Sequence, residues 1–183
     1  MITLGGVVYP AGIDVSVYNG DITSALTGCE FAFARASIGT SQDASYTAHL
    51  AQMHKRGVVR GAYHFLTYGP GGSRQAGTFL AAVKDAELLA LDMESTVLRY
   101  PQVGRSFIVA LRKLDPLKRP ILLYSSSGTW PGSLGQVGNW VANYARFPPP
   151  MAWVFAQYRG SPLDRDVYHG SVEALRAFAG RAA

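Results

Sequence analysis

Two carboxylates stand two residues apart, Asp92 and Glu94, directly after the apolar run 88–91. If that run is a buried strand, residues two apart point to one face, with Cα atoms roughly 6.6–7 Å apart. Asp14 also ends a short apolar segment and can reach the same place from a neighbouring strand. Crowding raises the pKa of one carboxyl group, so one group stays protonated while another stays ionised. This pattern suits acid catalysis at a glycosidic bond.

The residues alone leave two other interpretations of this pair open. The carboxylates are solvated at a strand end and pair with Arg99, or they hold a magnesium ion, which prefers oxygen ligands. A zinc site is disfavoured, because Cys29 is the single cysteine and His49 and His54 are five residues apart, the wrong interval for one helical face. We therefore expect no zinc ion, and among the interpretations of the carboxylate pair we favour those without a bound metal.

Alternating strands and helices are the main pattern along the chain. Strands are predicted at 12–16, 31–37, 58–65, 87–94, 121–124, 140–144 and 153–158, and helices at 46–56, 73–83, 103–114 and after a cap at Ser171. Five strand–helix units followed by a strand-rich C-terminal part predict an α/β fold, a shortened and irregular TIM-like barrel. A regular eight-fold barrel usually needs about 250 residues. A doubly wound open sheet is the alternative.

Polar and aromatic side chains stand at the ends of several predicted strands. In a barrel, the carboxyl ends of the strands form the floor of the active site. Besides the three acids, the residues at or near such ends include Arg35, Tyr63, His64, Tyr124, Trp140, Tyr144, Gln157 and Tyr158. Aromatic rings suit the apolar faces of sugars.

Composition excludes several classes of protein. The 183 residues carry a net charge of +5 and are 48% hydrophobic, which predicts one globular domain over residues 1–183. No apolar run approaches the roughly 18 residues that span a membrane, and no nucleic-acid-binding motif is present. The N-terminus lacks a basic segment followed by an apolar one, so no signal peptide is predicted.

Several motifs, in order, resemble those of the glycoside hydrolase family 25 lysozymes, the Chalaropsis-type muramidases. The resemblance covers about residues 11–170, and it departs from the family pattern at Asn19, Ile38 and Asp166. The motifs that carry it are Gly12-Ile13-Asp14-Val15-Ser16 with Tyr18 and Gly20, Gly61-Ala62-Tyr63-His64-Phe65, Gln75-Ala76 with Phe79, Leu91-Asp92-Met93-Glu94, residues 121–124, Trp140 with Tyr144, Trp153 with Gln157-Tyr158, and Leu163-Asp164.

The resemblance implies a flattened β/α barrel that cleaves the β-1,4 bond between N-acetylmuramic acid and N-acetylglucosamine without a cofactor. It places the general acid on Glu94, with Asp92 and Asp14 assisting. Under this assignment we expect Glu94 to keep its proton while Asp92 stays charged. The residues it implies for substrate binding are Tyr63, Tyr124, Trp140, Gln157 and Asp164.

The same resemblance implies the setting in which the protein acts. We expect one catalytic domain without a separate wall-binding domain, a monomer, acting on the glycan strands of bacterial peptidoglycan. A chain that starts at Met1 without a signal peptide favours a phage endolysin or virion-associated lysin, made in the host cytoplasm and released onto the cell wall. A bacterial enzyme exported by another route and a catalytic domain of a longer chain are the alternatives. A barrel that binds peptidoglycan without cutting it is the alternative function.

Overall fold

In residues 1–83 and 85–181, which the computed structural model describes, the chain forms eleven β-strands and four α-helices. The strands are β1 (Ile2–Leu4), β2 (Val7–Tyr9), β3 (Ala11–Val15), β4 (Phe31–Ile38), β5 (Ser41–Gln42), β6 (Val59–Phe65), β7 (Leu88–Asp92), β8 (Ile121–Ser126), β9 (Gly138–Ala142), β10 (Phe155–Arg159) and β11 (Asp164–Tyr168). The helices are α1 (Tyr46–Arg56), α2 (Gly72–Ala82), α3 (Pro101–Leu114) and α4 (Val172–Phe178).

Within the described residues, eight of these strands close into a barrel. The order is β3, β11, β10, β9, β8, β7, β6 and β4, and pairing between β3 and β4 closes the ring. Seven strands run parallel, whereas β11 is antiparallel to both of its neighbours. The closed ring confirms the predicted irregular β/α barrel and excludes the open sheet.

Strict alternation along β4 separates the inside of the barrel from the outside. Phe31 and Phe33 belong to the buried cluster inside the barrel, whereas Ala32, Ala34 and Ala36 belong to the cluster that packs against the helices. The period of two along a strand dictates this division. The bulky interior fills the barrel below the carboxyl ends of its strands, so those ends form a rigid floor.

The predicted helix after β4 ends where its sequence indicates. Gly57 follows α1 with a φ of 74°, the left-handed conformation that glycine adopts without steric cost. Ser171 caps α4 as predicted, because its side chain accepts a hydrogen bond from the backbone N–H of Ala174.

The prediction of five strand–helix units is wrong in part. Only α1, α2 and α3 lie between parallel barrel strands in the described chain, because the segment between β3 and β4 forms turns and a 3-10 helix at Val17–Asn19. The strand predicted at 140–144 is Gly138–Ala142, which leaves Tyr144 in the following loop, and the strand predicted at 153–158 is Phe155–Arg159, which leaves Trp153 before it.

A hairpin of β1 and β2 was not predicted. It covers the outside of the barrel at β9–β11, where no α-helix of the described chain connects the strands. Gly5 and Gly6, both with positive φ, form its turn. Ile2, Leu4 and Tyr9 pack onto a cluster of Val141, Trp153, Ala156 and Val167 from β9–β11 and the loop before β10. Among the described residues, no helix has the length and apolar character needed to cross a membrane.

His64 lies in the core, where it fixes the loop after β6. The Nδ1 atom lies 2.8 Å from Ser37 Oγ, and Nε2 lies 3.1 Å from Gln75 Oε1. Burial lowers the pKa of His64 to about 4, so the ring is neutral at physiological pH. Gln75 also bonds the backbone N–H and carbonyl of Thr67, which ties the loop to α2.

Candidate active site

A pocket of about 230 Å³ opens at the carboxyl ends of the parallel barrel strands. Because β11 runs the other way, its first residue, Asp164, pairs with Asp14 near the end of β3 and reaches the same face. All eight residues predicted for the site contribute to the lining of this one pocket: Asp14, Tyr63, Asp92, Glu94, Tyr124, Trp140, Gln157 and Asp164.

Asp92 and Glu94 stand at the end of β7 as the sequence predicts. The residues of β7 before Asp92 are completely buried, Asp92 is 6% exposed, and Glu94 is half-buried. Glu94 has extended backbone, with φ −132° and ψ 174°, which keeps its side chain on the same face as Asp92. The Asp92 carboxyl donates a hydrogen bond to Glu94.

The order in which these two groups hold a proton is the reverse of the expectation. Burial raises the pKa of Asp92 well above its usual value, and the negative charges of Glu94 and Asp14 raise it further. Burial also raises the pKa of Glu94, but the hydrogen bond from Asp92 opposes that rise. The free pocket therefore keeps the shared proton on Asp92, the more deeply buried carboxyl.

Asp14 is held by a chain of hydrogen bonds across the barrel. Gln157 Nε2 donates to Asp14 Oδ2 at 2.6 Å, and Gln157 Oε1 accepts from the hydroxyl groups of Tyr124, at 2.7 Å, and Tyr144. Burial and the charge of Asp164 raise the pKa of Asp14 to about 7. Burial and the charge of Glu94 raise the pKa of Asp164 to about 6.

Three further residues in the lining are not among the eight predicted for the site: Arg35 and Tyr144, which the sequence places at or near strand ends, and Phe65. Arg35 follows Phe31 and Phe33 at even spacing on β4, a pattern that does predict an inward-facing side chain. Its Nε atom lies 2.8 Å from Asp43 Oδ2, and its guanidinium lies over the ring of Tyr18 at 5.5 Å. Arg35 thus brings a positive charge to an acidic pocket.

The aromatic side chains differ in how they meet the pocket. Tyr63 and Tyr124 are each 8% exposed and Trp140 is 1% exposed, so they form its inner wall rather than open platforms. Trp140 stacks on Phe33 with ring centroids 4.4 Å apart. Tyr144 is 60% exposed and is the aromatic residue of the lining that is open to solvent.

Neither alternative interpretation of the carboxylate pair gains support. Arg99 is exposed, and among the described residues no ion pair joins it to Asp92 or Glu94. Across residues 1–83 and 85–181, no group of three or more His, Cys, Asp or Glu side chains has an arrangement that could hold a metal ion.

The sequence and the fold both match known proteins. The sequence model described as Glycosyl hydrolases family 25 matches residues 13–167. Lysozyme M1 of Streptomyces globisporus is 26% identical over 211 residues, with 94% of this chain and 72% of that protein covered. The protein YegX of Escherichia coli K12 is 30% identical over 171 residues, with 81% of this chain covered; the chain spans 62% of YegX.

Solved structures show the same fold at lower sequence identity. The bacterial lysozyme from Streptomyces coelicolor superposes with a TM-score of 0.79 at 22% identity, covering 94% of this chain and 97% of that chain. The catalytic domain of endolysin ply40 from bacteriophage P40 of Listeria monocytogenes superposes with a TM-score of 0.78 at 20% identity, covering 96% and 100%. The family model extends from β3 into β11 and so includes the whole barrel. The chain belongs to the glycosyl hydrolases of family 25.

Proposed function

We propose that this protein is a peptidoglycan hydrolase that cleaves the β-1,4 bond between N-acetylmuramic acid and N-acetylglucosamine. The observation that carries the proposal is the Asp92–Glu94 pair, two carboxyl groups that line one pocket at the carboxyl end of a strand in a family 25 barrel. The similarity to Lysozyme M1 supports the same substrate class. The bacterial cell wall is then the place of action.

Glu94 is the general acid in this proposal. It is the more exposed carboxyl of the pair, so it can approach the oxygen of a bound glycosidic bond. The shared proton first moves from Asp92 to Glu94 along the hydrogen bond that joins them, and Glu94 then gives it to the leaving oxygen, so both carboxyl groups end up ionised. Proton donation by a positioned acid accelerates such reactions roughly 10²–10⁴-fold.

Transfer of the proton leaves Asp92 negatively charged as positive charge develops on the sugar. An anion at that place stabilises the transition state, and it can orient the 2-acetamido group of the substrate if that group acts as nucleophile. Asp14 and Asp164 add negative charge on the opposite side of the barrel floor. No step of this mechanism needs a metal ion or an organic cofactor.

The remaining predicted residues shape the pocket for a glycan strand. Tyr63, Tyr124 and Trp140 form its inner wall, and Gln157 orients Asp14. The exposed Tyr144 offers a ring face to a sugar at the rim. These contacts suit a polysaccharide chain with apolar ring faces and hydroxyl edges.

A barrel that binds peptidoglycan without cutting it is the alternative function. Burying several carboxyl groups in one pocket costs stability, and a binding protein gains nothing from that cost. The raised pKa values of Asp14 and Asp164 in the same pocket therefore favour catalysis.

The identity of the new reducing ends tests the proposed function. Purified bacterial sacculi are incubated with the protein, with and without a chelator, and the fragments are reduced with borohydride and hydrolysed. We expect reduced muramic acid to accumulate equally in both samples. Reduced glucosamine would contradict the bond assignment, and binding without new reducing ends would support the non-catalytic alternative. Loss of activity in the chelator would indicate a metal-dependent enzyme.

A further inference from the structure

Asp166 is a completely buried carboxyl group inside the barrel, one layer below the pocket floor. It lies on β11 two residues after Asp164, and its register partners are Gly12 on β3 and Gln157 on β10. Gly12 has no side chain, and a Cβ added there would meet the ring of Phe31 at 2.4 Å. The interior at this level therefore has space for a polar side chain from β11 and none from β3.

The hydrogen bonds of Asp166 are consistent with a neutral acid. Trp140 Nε1 donates to Asp166 Oδ1 at 2.8 Å, whereas Asp166 Oδ2 is buried and receives no hydrogen bond from a donor in the described residues. An ionised carboxylate with an uncompensated buried oxygen is costly, whereas a protonated oxygen needs only an acceptor. The Asp14 carboxyl is that acceptor.

The charged groups that face Asp166 also favour its neutral form. Burial raises the pKa of Asp166 well above its usual value, and the charges of Asp14 on β3 and Asp164 on β11 raise it further. The hydrogen bond from Trp140 on β9 opposes this rise. More distant titratable groups that interact with Asp166 are Tyr158 on β10 and Cys29 before β4.

We propose that Asp166 is a positioning residue that stays a neutral carboxylic acid and donates its O–H to Asp14. Together with the N–H of Gln157, this donor fixes the Asp14 carboxylate and aims its free lone pairs at the pocket. The inference deepens the proposed function, because it gives Asp14 the orientation and charge that its supporting role in the reaction requires. Asp166 itself, completely buried, does not touch the substrate.

Two substitutions test whether Asp166 acts as a neutral hydrogen-bond donor or as an anion. Asp166→Asn keeps an acceptor for Trp140 and replaces the O–H donor by an N–H donor, so we expect kcat within about threefold of wild type and an unchanged acidic limb of the pH–rate profile. Asp166→Leu removes both contacts at similar volume. Loss of a hydrogen bond to a charged group predicts a kcat about 10- to 100-fold lower. The acidic limb should also move to higher pH, because the anionic form of Asp14 loses a donor.

A measurement on the wild-type protein keeps the proposal testable if the leucine variant does not fold. With ¹³C-labelled aspartate, NMR should show a carboxyl carbon that is absent from Asp166→Asn and that stays protonated where an aspartate with the usual pKa of 3.8 is ionised. An Asp166 carbon that titrates near pH 4, or a folded Asp166→Asn protein that has lost activity, would overturn the proposal. This NMR result is independent of peptidoglycan cleavage, so a wild-type protein without that activity would contradict the proposed function and not the protonation of Asp166.

Discussion

Asp92 donates a hydrogen bond from its buried carboxyl to Glu94, two residues further along the chain. Two carboxyl groups joined in this way lose their protons as a pair, and the last proton is held tightly because its loss would leave two adjacent negative charges. The Asp92–Glu94 pair thus keeps one proton next to the pocket up to a pH at which an isolated carboxyl group would have lost it. An acid that works near neutral pH requires this property.

Replacing Asp92 by asparagine should move the alkaline limb of the activity profile to lower pH. The substitution removes a neighbouring negative charge, so Glu94 loses its proton more easily than the wild-type pair loses its last one. The rate should fall as well, by about 10²-fold or more, because an anion near the developing positive charge is lost. The measurement is a pH profile of kcat/KM for both proteins on one wall substrate at constant ionic strength. An alkaline limb that stays in place or moves upward would contradict the coupled pair.

Replacing Asp14 by asparagine should stabilise the protein at pH 8 more than at pH 4.5. The pKa of Asp14 is about 7 in the folded protein against a usual value of 3.8. The folded state therefore holds a proton that the unfolded state releases, and this stabilisation is lost as the pH rises from about 4 through about 7. Asparagine cannot ionise, so the variant avoids the cost of a buried carboxylate.

The size of this effect follows from the same shift. Three pKa units correspond to about 4 kcal/mol, and redistribution of protons among the neighbouring carboxyls reduces the expected difference to about 2 kcal/mol. For a protein of this size that is roughly 4–8 °C in Tm. The check is thermal unfolding of both proteins from pH 4.5 to pH 8, with the exposed Asp85→Asn as the matched control. A Tm difference for Asp14→Asn that does not vary with pH would contradict this account.

Arg181 fastens the C-terminal segment to the amino end of the barrel, away from the pocket. Its Nη2 atom donates to Glu87 Oε2 at 2.9 Å, and Nη1 donates to the carbonyl of Gly57 at 3.0 Å. Arg181→Ala should cost about 1–2 kcal/mol of stability, since these are charge-assisted bonds at a partly exposed site. We expect a Tm lower by several degrees with unchanged kcat, whereas the exposed Arg176→Ala should have little effect on either. Equal Tm values for the two variants would show that Arg181 does not fasten the chain.

The sequence predicts the position of the Asp92–Glu94 pair well because local pattern alone places it. The short, fully apolar run of β7 before Asp92 favours a buried strand, and two carboxylates two residues apart at its end then share a face. Asp164 is different. It reaches the pocket because β11 runs antiparallel to the rest of the barrel. The Asp164-Arg165-Asp166 segment of that strand carries only charged side chains. Its sequence therefore does not predict a strand with inward-facing, buried residues.

The protonation order and the exposure of the aromatic residues could not be predicted from the sequence. Which of Asp92 and Glu94 holds the proton depends on their difference in burial, and that difference arises from the ends of other strands. The interior position of Trp140 depends on its stacking with Phe33 from β4, and the exposure of Tyr144 depends on β9 ending at Ala142. These are tertiary relationships between segments far apart in the chain.

Glu94→Gln is the most direct test of the central claim that the carboxyl pair at the end of β7 cleaves the glycan. The release of new reducing ends from purified walls is measured for wild type, for Glu94→Gln and for Glu173→Gln, which makes the same chemical change at an exposed position in α4. Circular dichroism and thermal unfolding establish that all three proteins fold. We expect Glu94→Gln to lose about 10²- to 10⁴-fold in rate while Glu173→Gln matches wild type. A folded Glu94→Gln protein that releases reducing ends at nearly the wild-type rate would contradict the account.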